Sequence, residues 1–202
     1  MDIHNYDLKY NSAKEKFKNR NITNKNKKLI LEFVNDLVLC NISKPRLCKY
    51  LSVMGIIAKE INKDLDKATI TDLKNFVGRI QQKNYSVWTK HSYKIILRRF
   101  YKWLHQMEGK EYPEIVSWIK VGVKRSEKTL PSEEGLLNEK DIQKLITIVD
   151  HPRNKAIISV LWESGARVGE IGNLLIKNVN FDKYGTVISV KGKTGSRNIR
   201  LI

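Results

Sequence analysis

Apolar residues recur at helical spacing through the first 110 residues of the chain. Four stretches carry such a stripe, and each follows a residue that commonly caps helices, namely Thr23, Ser43, Thr69 and Ser86. Thr69 and Asp72 also have the spacing of a capping box. We find no convincing strand pattern in this half. Residues 1–110 are therefore predicted to form a mainly α N-terminal domain of four helices.

The pattern changes after residue 110. Residues 111–137 lose the long helical period and collect glycine, proline, serine and charge, which predicts an interdomain linker. Residues 138–202 begin with two helical apolar patterns, the second of which ends at Gly165. A short helix follows, and then two β-rich runs, TVISVK and RNIRLI. The joining segment GKTGS contains two glycines, which favour a hairpin turn. Residues 138–202 are therefore predicted to form a partial α+β domain with a small antiparallel β-hairpin or sheet.

Composition points to a polyanion as the partner. Lysine and arginine total 38 against 21 acidic residues, a formal net charge of +17. No apolar run approaches the roughly 18 residues that span a bilayer, and the N-terminus lacks the apolar core of a secretory signal, so we expect a cytoplasmic, nucleoid-associated protein. Cys40 and Cys48 do not match a zinc site, and we interpret them as reduced packing residues. No metal is expected.

The fourth helical stretch carries a row of basic residues beside its apolar stripe. Lys90, Lys94, Arg98 and Lys102 recur every four residues, with Arg99 next to them. Like charges four residues apart destabilise a helix by a few tenths of a kcal/mol per pair, so bound phosphates would stabilise this helix. The alternative is an ordinary solvated face. We take these five residues, together with Arg197 in the last β-rich run, as candidate DNA contacts.

The stretch ESGARVGEI, residues 163–171, suggests a phosphate site. Arg167 can grip two phosphate oxygens, and Glu170 can hold its guanidinium in one orientation. Lys193, in the predicted hairpin turn, can reach the same phosphate and give a proton to a leaving oxygen. Taken singly, the first pair is more often a surface ion pair and the lysine a solvated turn residue. Together they predict most of a metal-free phosphoryl-transfer site.

The sequence from Ser159 to Leu201, SVLWESGARVGEIGNLLIKNVNFDKYGTVISVKGKTGSRNIRL, resembles the first part of the catalytic domain of tyrosine recombinases, the phage-integrase and Xer-type family. Members carry a Gly-x-Arg-x-x-Glu box followed by a β-hairpin with Gly-Lys. The helical half, ending in WTKHSYKIILRRFYKWL, resembles the family's SAM-like core-binding domain, and LPSEEGLLNEKDIQKLI resembles its interdomain junction. The hairpin KTGSRNIRLI is most similar to that of archaeal members.

This resemblance implies a role for each candidate. Arg167 would bind the scissile phosphate, Glu170 would support the site, and Lys193 would act as general acid toward the leaving 5′ hydroxyl. The partner would be double-stranded DNA, with no cofactor, because in the family a tyrosine attacks the phosphodiester and forms a 3′-phosphotyrosyl intermediate. The family also implies a tetramer on two DNA duplexes.

The sequence departs from the family pattern beyond the hairpin. None of the four histidines is followed by arginine three residues later, and all eight tyrosines precede Lys193. We therefore expect a truncated recombinase that binds DNA without cleaving it. One alternative is a non-catalytic DNA-binding regulator on the same scaffold. Another is an unrelated basic RNA-binding module, against which the lack of a stacking aromatic motif argues.

Overall fold

The computed structural model of the chain describes residues 3–124, 135–192 and 195–201. The chain divides into two compact units, one from Asn5 to Thr129 and one that joins Leu130–Ile202 to Met1–His4. Residues 125–134 of the predicted linker, and the candidate Lys193, lie outside the described residues. No helix in the described ranges is both long and apolar enough to cross a bilayer.

The helical unit contains the four predicted helices, which confirms the mainly α class of this half. Its elements are α1 (Tyr6–Lys18), α2 (Asn24–Leu39), α3 (Lys44–Ile61), α4 (Ile70–Gln82), α5 (Val87–Leu104) and the short α6 (Glu114–Ser117). Three of the predicted caps are observed. The side chains of Thr23, Thr69 and Ser86 each accept a hydrogen bond from a backbone N–H in the first turn of α2, α4 and α5.

Aromatic rings fill the centre of this unit. Phe33 of α2 is fully buried, and its ring meets those of Tyr50 and Phe100 nearly edge-on, with centroid distances of 5.6 and 5.4 Å. Edge-to-face pairs add roughly 0.5–1.5 kcal/mol to the area that they bury. This cluster joins α2, α3 and α5.

Two polar side chains fix the turn between α3 and α4. Asn26 is buried, accepts a hydrogen bond from the N–H of Leu65 at 2.8 Å and donates one to the carbonyl of Lys63 at 2.8 Å. The hydroxyl of Tyr101 donates to the carbonyl of Leu65 at 2.8 Å. Because these bonds satisfy polar groups that are out of water, removing either side chain would leave a buried partner unpaired.

Three features of the helical unit differ from the sequence predictions. Helix α1 was not predicted, because its sequence is dense in charge and buries only Tyr10 and Phe17. The predicted linker starts too early, since Val116 and Ile119 are buried in the helical core. Cys40 is exposed, so its interpretation as a packing residue is wrong.

The second unit combines short helices with a three-stranded sheet, which confirms its predicted α+β class. Its elements are α7 (Glu139–Ile148), α8 (Pro152–Ser164), α9 (Val168–Gly172), a 3-10 turn (Ile176–Asn178), β1 (Val179–Asp182), β2 (Gly185–Gly192) and β3 (Gly195–Leu201). The strands form an antiparallel meander in the order β1-β2-β3. The hairpin β2–β3 was predicted and β1 was not.

The core of this unit is small. Ile188, Val190 and Leu201 are buried together, with Val160 and Ile171 packed partly against them. Helix α8 contains no buried residue, and several large apolar side chains of the unit are exposed, including those of Leu136, Leu137, Ile148, Trp162, Ile176 and Phe181. Burial of apolar area is the main stabilising contribution to a fold, so this unit has less to stabilise it than the helical unit.

We therefore predict unequal protection of the two units in native-state hydrogen exchange. Amides of α3 and α5 should exchange more slowly than those of α8 and β3, because opening the aromatic core exposes more apolar surface. Exchange followed by mass spectrometry on the 202-residue chain measures both sets in one experiment. Equal protection of the two sets would contradict the difference in core size.

Candidate active site

The turn between α8 and α9 places Arg167 and Glu170 side by side. Helix α8 ends at Gly165, whose φ of 58° lies in the left-handed region that glycine tolerates best. Arg167 then caps α9, and its backbone N–H donates to Glu170 Oε2 at 2.9 Å. This is one half of a capping box, in which the third helical residue reaches back to the cap. The three-residue spacing seen in the sequence is therefore a helix-start geometry.

Glu170 is buried and holds two guanidinium groups. Its side chain is only 3% exposed. Arg197 of β3 donates from Nη1 to Oε1 at 2.8 Å and from Nη2 to Oε2 at 2.9 Å, a bidentate pair. The Nη1 of Arg167 lies 3.3 Å from the same Oε1. Arg197 is thus the tighter partner.

Arg197 was predicted as a DNA contact, and in the structure it has an internal partner, Glu170. Its link to Glu170 joins residues 27 apart in sequence, and no local pattern encodes such a pair. The available signal was the two-residue period of β3. Arg197 and Ile199 lie on one face of the strand, and Asn198 and Arg200 lie on the other. Arg200 is paired with Asp182, at 2.8 Å for each of two hydrogen bonds.

Gly192 allows the carboxylate to sit against the end of β2. A Cβ atom added to Gly192 would lie 2.1 Å from Glu170 Oε1, far inside van der Waals contact. The backbone of β2 can therefore approach Glu170 only because this residue is glycine. Gly192 directly precedes Lys193 in the sequence, so the carboxylate lies beside the start of the segment that carries the lysine candidate.

The two arginines set the ionisation of Glu170. The side-chain hydrogen bond from Arg197, followed by the backbone N–H of Arg167, lowers the pKa of Glu170 from 4.5 to about 2. Reciprocally, Glu170 raises the pKa of Arg197. The carboxylate is therefore ionised at neutral pH and fixes both guanidinium groups by charge-assisted hydrogen bonds.

Arg167 remains available for an anion. Its side chain is 66% exposed, against 41% for Arg197. A guanidinium has five N–H donors, and the contacts to Glu170 engage one of those of Arg167. A cleft of about 520 Å³, lined by Glu170, Ser189, Lys191 and Ser196 among others, opens beside the carboxylate. Neither Arg167 nor Arg197 lines this cleft. The exposed guanidinium of Arg167 can itself bind an oxyanion, in the orientation that Glu170 gives it.

The basic row of α5 makes more internal contacts than the sequence suggested. Lys90 donates to the carbonyl of Gln81 at 2.8 Å, and Lys102 donates to the carbonyl of Gly109. The guanidinium of Arg98 stacks on the ring of Tyr112 at 3.7 Å, and Arg99 donates to the hydroxyl of Tyr50 at 2.9 Å. Lys94 lines a cleft with Lys90. Part of the row therefore attaches residues 109–112 to the helical unit.

Among the described residues, no cluster of histidine, cysteine, aspartate or glutamate has the arrangement of a metal site. The oriented groups of the candidate active site are the two guanidinium groups and the carboxylate between them. Their chemistry is recognition and charge stabilisation of an oxyanion.

Comparison with known proteins finds recombinases. No protein-family profile matches the chain. The tyrosine recombinase XerA of Pyrococcus horikoshii is 26% identical over 133 residues, which cover 64% of this chain and 41% of that protein. XerA of Saccharolobus solfataricus is 24% identical over 162 residues, which cover 74% of this chain and 51% of that protein. The chain thus spans about half of these relatives or less.

A similar fold is found among solved structures. The XerH site-specific recombinase, in a pre-cleavage complex with its difH substrate, superposes with a TM-score of 0.58 at 20% identity. The match covers 80% of this chain and 48% of XerH. At this level of identity the likeness concerns the fold.

We predict that acid weakens the second unit through Glu170. A carboxyl whose folded pKa is depressed stabilises the fold fully above its ordinary pKa of 4.5, and this stabilisation is lost as the pH falls toward about 2. Asp182, with its pKa lowered to about 2 by the side-chain hydrogen bond from Arg200, adds to the same loss. Hydrogen exchange of β2 and β3 between these pH values measures the effect.

The variant Glu170→Gln should be less stable than the wild type at neutral pH and should lose less stability on acidification, because only the Asp182 contribution remains. Glu139→Gln, which removes a carboxylate from the exposed first turn of α7, is the matched control and should change neither property strongly. A wild-type pH profile that Glu170→Gln leaves unaltered would overturn the assignment.

Proposed function

We propose that this chain, a member of the tyrosine recombinase and integrase family, comprises the core-binding domain and the first part of the catalytic domain of a site-specific DNA recombinase. Its substrate is double-stranded DNA, and the protein is cytoplasmic and associated with the nucleoid. The observation that carries the proposal is the exposed guanidinium of Arg167 held by the buried carboxylate of Glu170. The formal charge of +17 supports a nucleic-acid partner.

Arg167 binds the scissile phosphate in this proposal. Its exposed N–H groups form hydrogen bonds to the non-bridging oxygens, and these bonds strengthen as negative charge develops on them. Glu170 is a positioning residue, because it is too buried to contact DNA and acts by fixing Arg167 and Arg197. Arg197 is 41% exposed, so its remaining donors can face the same phosphate.

Lys193 completes the site as general acid. When a tyrosine oxygen attacks the phosphorus, the P–O5′ bond breaks, and the leaving oxygen takes a proton from the lysine ammonium. The position of Gly192 beside Glu170 supports this role, because it brings the chain next to the arginine pair one residue before Lys193. The phosphodiester bond energy is kept in the 3′-phosphotyrosyl link, so no metal or nucleotide cofactor takes part. Strand exchange takes place in a tetramer on two duplexes.

We predict a strongly salt-dependent affinity for DNA. Fluorescence anisotropy with a labelled duplex of about 30 base pairs should give a slope of log K against log salt of about −5 or steeper, because roughly 0.9 counterions are released per phosphate contact. Arg167→Ala should change this slope by one at most, since Arg167 contacts a single phosphate. A slope between 0 and about −1 would contradict the proposal.

We also predict that the 202-residue chain binds DNA without cleaving it. The sequence contains no His-x-x-Arg, and its last tyrosine, Tyr184, precedes Lys193. A nicked suicide substrate traps a phosphotyrosyl adduct when a tyrosine attacks. We expect binding and no covalent adduct on a denaturing gel. An adduct that survives denaturation and disappears in Tyr184→Phe would show that this chain supplies its own nucleophile.

A further inference from the structure

The start of the chain packs against α9. Ile3 and His4 belong to the same compact unit as this helix. The backbone N–H of Ile3 donates to Oδ1 of Asn173 at 3.4 Å, across 170 positions of sequence. We call Ile3 and His4 the N-terminal strap. The strap therefore contacts the helix that contains Glu170 and is capped by Arg167.

Two glycines of α9 make room for the strap. A Cβ atom added to Gly172 would lie 2.5 Å from Cδ1 of Ile3, and one added to Gly169 would lie 3.3 Å from Nε2 of His4. Gly172 and Asn173 follow Gly169 by three and four residues, so the three lie on one face of the helical turn. The strap covers a face of α9 on which the helix has little side chain of its own.

Helix α9 depends on support from outside its own sequence. It has five residues, Val168–Gly172, and two of them are glycine. Each glycine costs a helix about 1 kcal/mol relative to alanine, and helices this short do not persist alone in water. The buried Glu170 and the partly buried Ile171 hold the helix on the side of the sheet. The strap supplies contacts on the glycine face.

Asn173 connects the strap to the backbone of α9. Its Nδ2 donates to the carbonyl of Gly169 at 2.8 Å, while its Oδ1 accepts the bond from Ile3. A side-chain amide has both donors and an acceptor, so one residue can make both bonds. The position of Ile3 is thus linked to the last turn of the helix.

We propose that the N-terminal strap is a positioning element of the candidate active site. Ile3 and Asn173 hold the last turn of α9, and α9 in turn holds Glu170 beside Arg167. The effect of the strap on phosphate binding rests on the proposed function, whereas its contact with α9 does not. Because the side chain of Ile3 is still 45% exposed, its removal should loosen α9 without unfolding the sheet.

The first test is a double-mutant cycle between Ile3 and Gly172, followed by hydrogen exchange of the α9 amides. The 202-residue chain is used with no residue added before Met1. Ile3→Ala should speed this exchange about fivefold and leave α8 and β2 unchanged. Gly172→Ala favours the helix but displaces Ile3, so alone it should leave exchange near the wild-type rate. In the Ile3→Ala background it should slow exchange roughly threefold.

Gly78→Ala in α4 is the matched control, because a Cβ atom there would meet nothing within 4 Å. It should have the same effect on α4 in both backgrounds. Ile3→Leu should retain wild-type exchange of α9, since it keeps an apolar side chain of the same size. Equal effects of Gly172→Ala in the two backgrounds would overturn the strap. Protection of α9 that rises with protein concentration would overturn its assignment to the same chain.

The titration of Glu170 separates positioning from general stabilisation. The side-chain hydrogen bond of Arg197, followed by the backbone N–H of Arg167, lowers the pKa of Glu170 to about 2. Ile3→Ala loosens this N–H together with α9, so the pKa, measured from the carboxyl NMR resonance of the folded protein, should rise toward 4.5. The pKa of Asp182 should not change. An unaltered titration of Glu170 in Ile3→Ala would overturn the positioning role.

None of these measurements uses DNA, so the strap and the proposed function can fail separately. A cycle without coupling between Ile3 and Gly172 would overturn the strap and leave the proposed function standing. A wild-type chain that does not bind DNA would overturn the proposed function and leave the contact of the strap with α9 standing.

Discussion

The buried carboxylate of Glu170 is the constraint on which the candidate active site depends. A charge that is 97% removed from solvent must be paired, because an isolated buried carboxylate is strongly destabilising. The structure supplies the bidentate guanidinium of Arg197, the backbone N–H of Arg167 and a weaker contact from the Arg167 side chain. Gly192 must lack a side chain for the carboxylate to fit. The exposed guanidinium of Arg167 is thus oriented by the buried carboxylate of Glu170.

The positive charges of the two units have different structural roles. In the second unit, Arg197 and Arg200 are engaged by Glu170 and Asp182, so much of the local charge is neutralised inside the fold. In the helical unit, contacts to carbonyls and rings hold Lys90, Arg98 and Lys102 without neutralising them. A carbonyl or an aromatic ring carries no net charge, so these cations keep their field while their positions are fixed. Positioned but unneutralised cations are what a phosphate backbone requires.

The sequence predicted those features that local chemistry determines. Capping residues located α2, α4 and α5, and Gly165 with the Arg167–Glu170 spacing located the start of α9, because these signals act within one helical turn. Helix α1 and strand β1 were missed, since their apolar patterns are short or weak and tertiary packing stabilises them. The pairing of Arg197 with Glu170 could not be predicted, because it depends on how β3 is placed against α9. The excess of positive charge was visible in the sequence. Which of these charges have partners inside the protein could be known only from the fold.

The charge balance connects the fold to its proposed DNA partner. Aspartates and glutamates such as Asp66, Asp72 and Glu60 are engaged with nearby lysines or arginines. The net charge of +17 means that basic residues outnumber such carboxylates, so the remaining cations repel one another across the surface. The helical unit tolerates this repulsion because its aromatic core is large, whereas the second unit, whose core cluster has three buried apolar residues, keeps Arg197 and Arg200 paired. The unit with the larger core is therefore the one that can carry unneutralised charge, and the unit with the smaller core concentrates its charge in one oriented site.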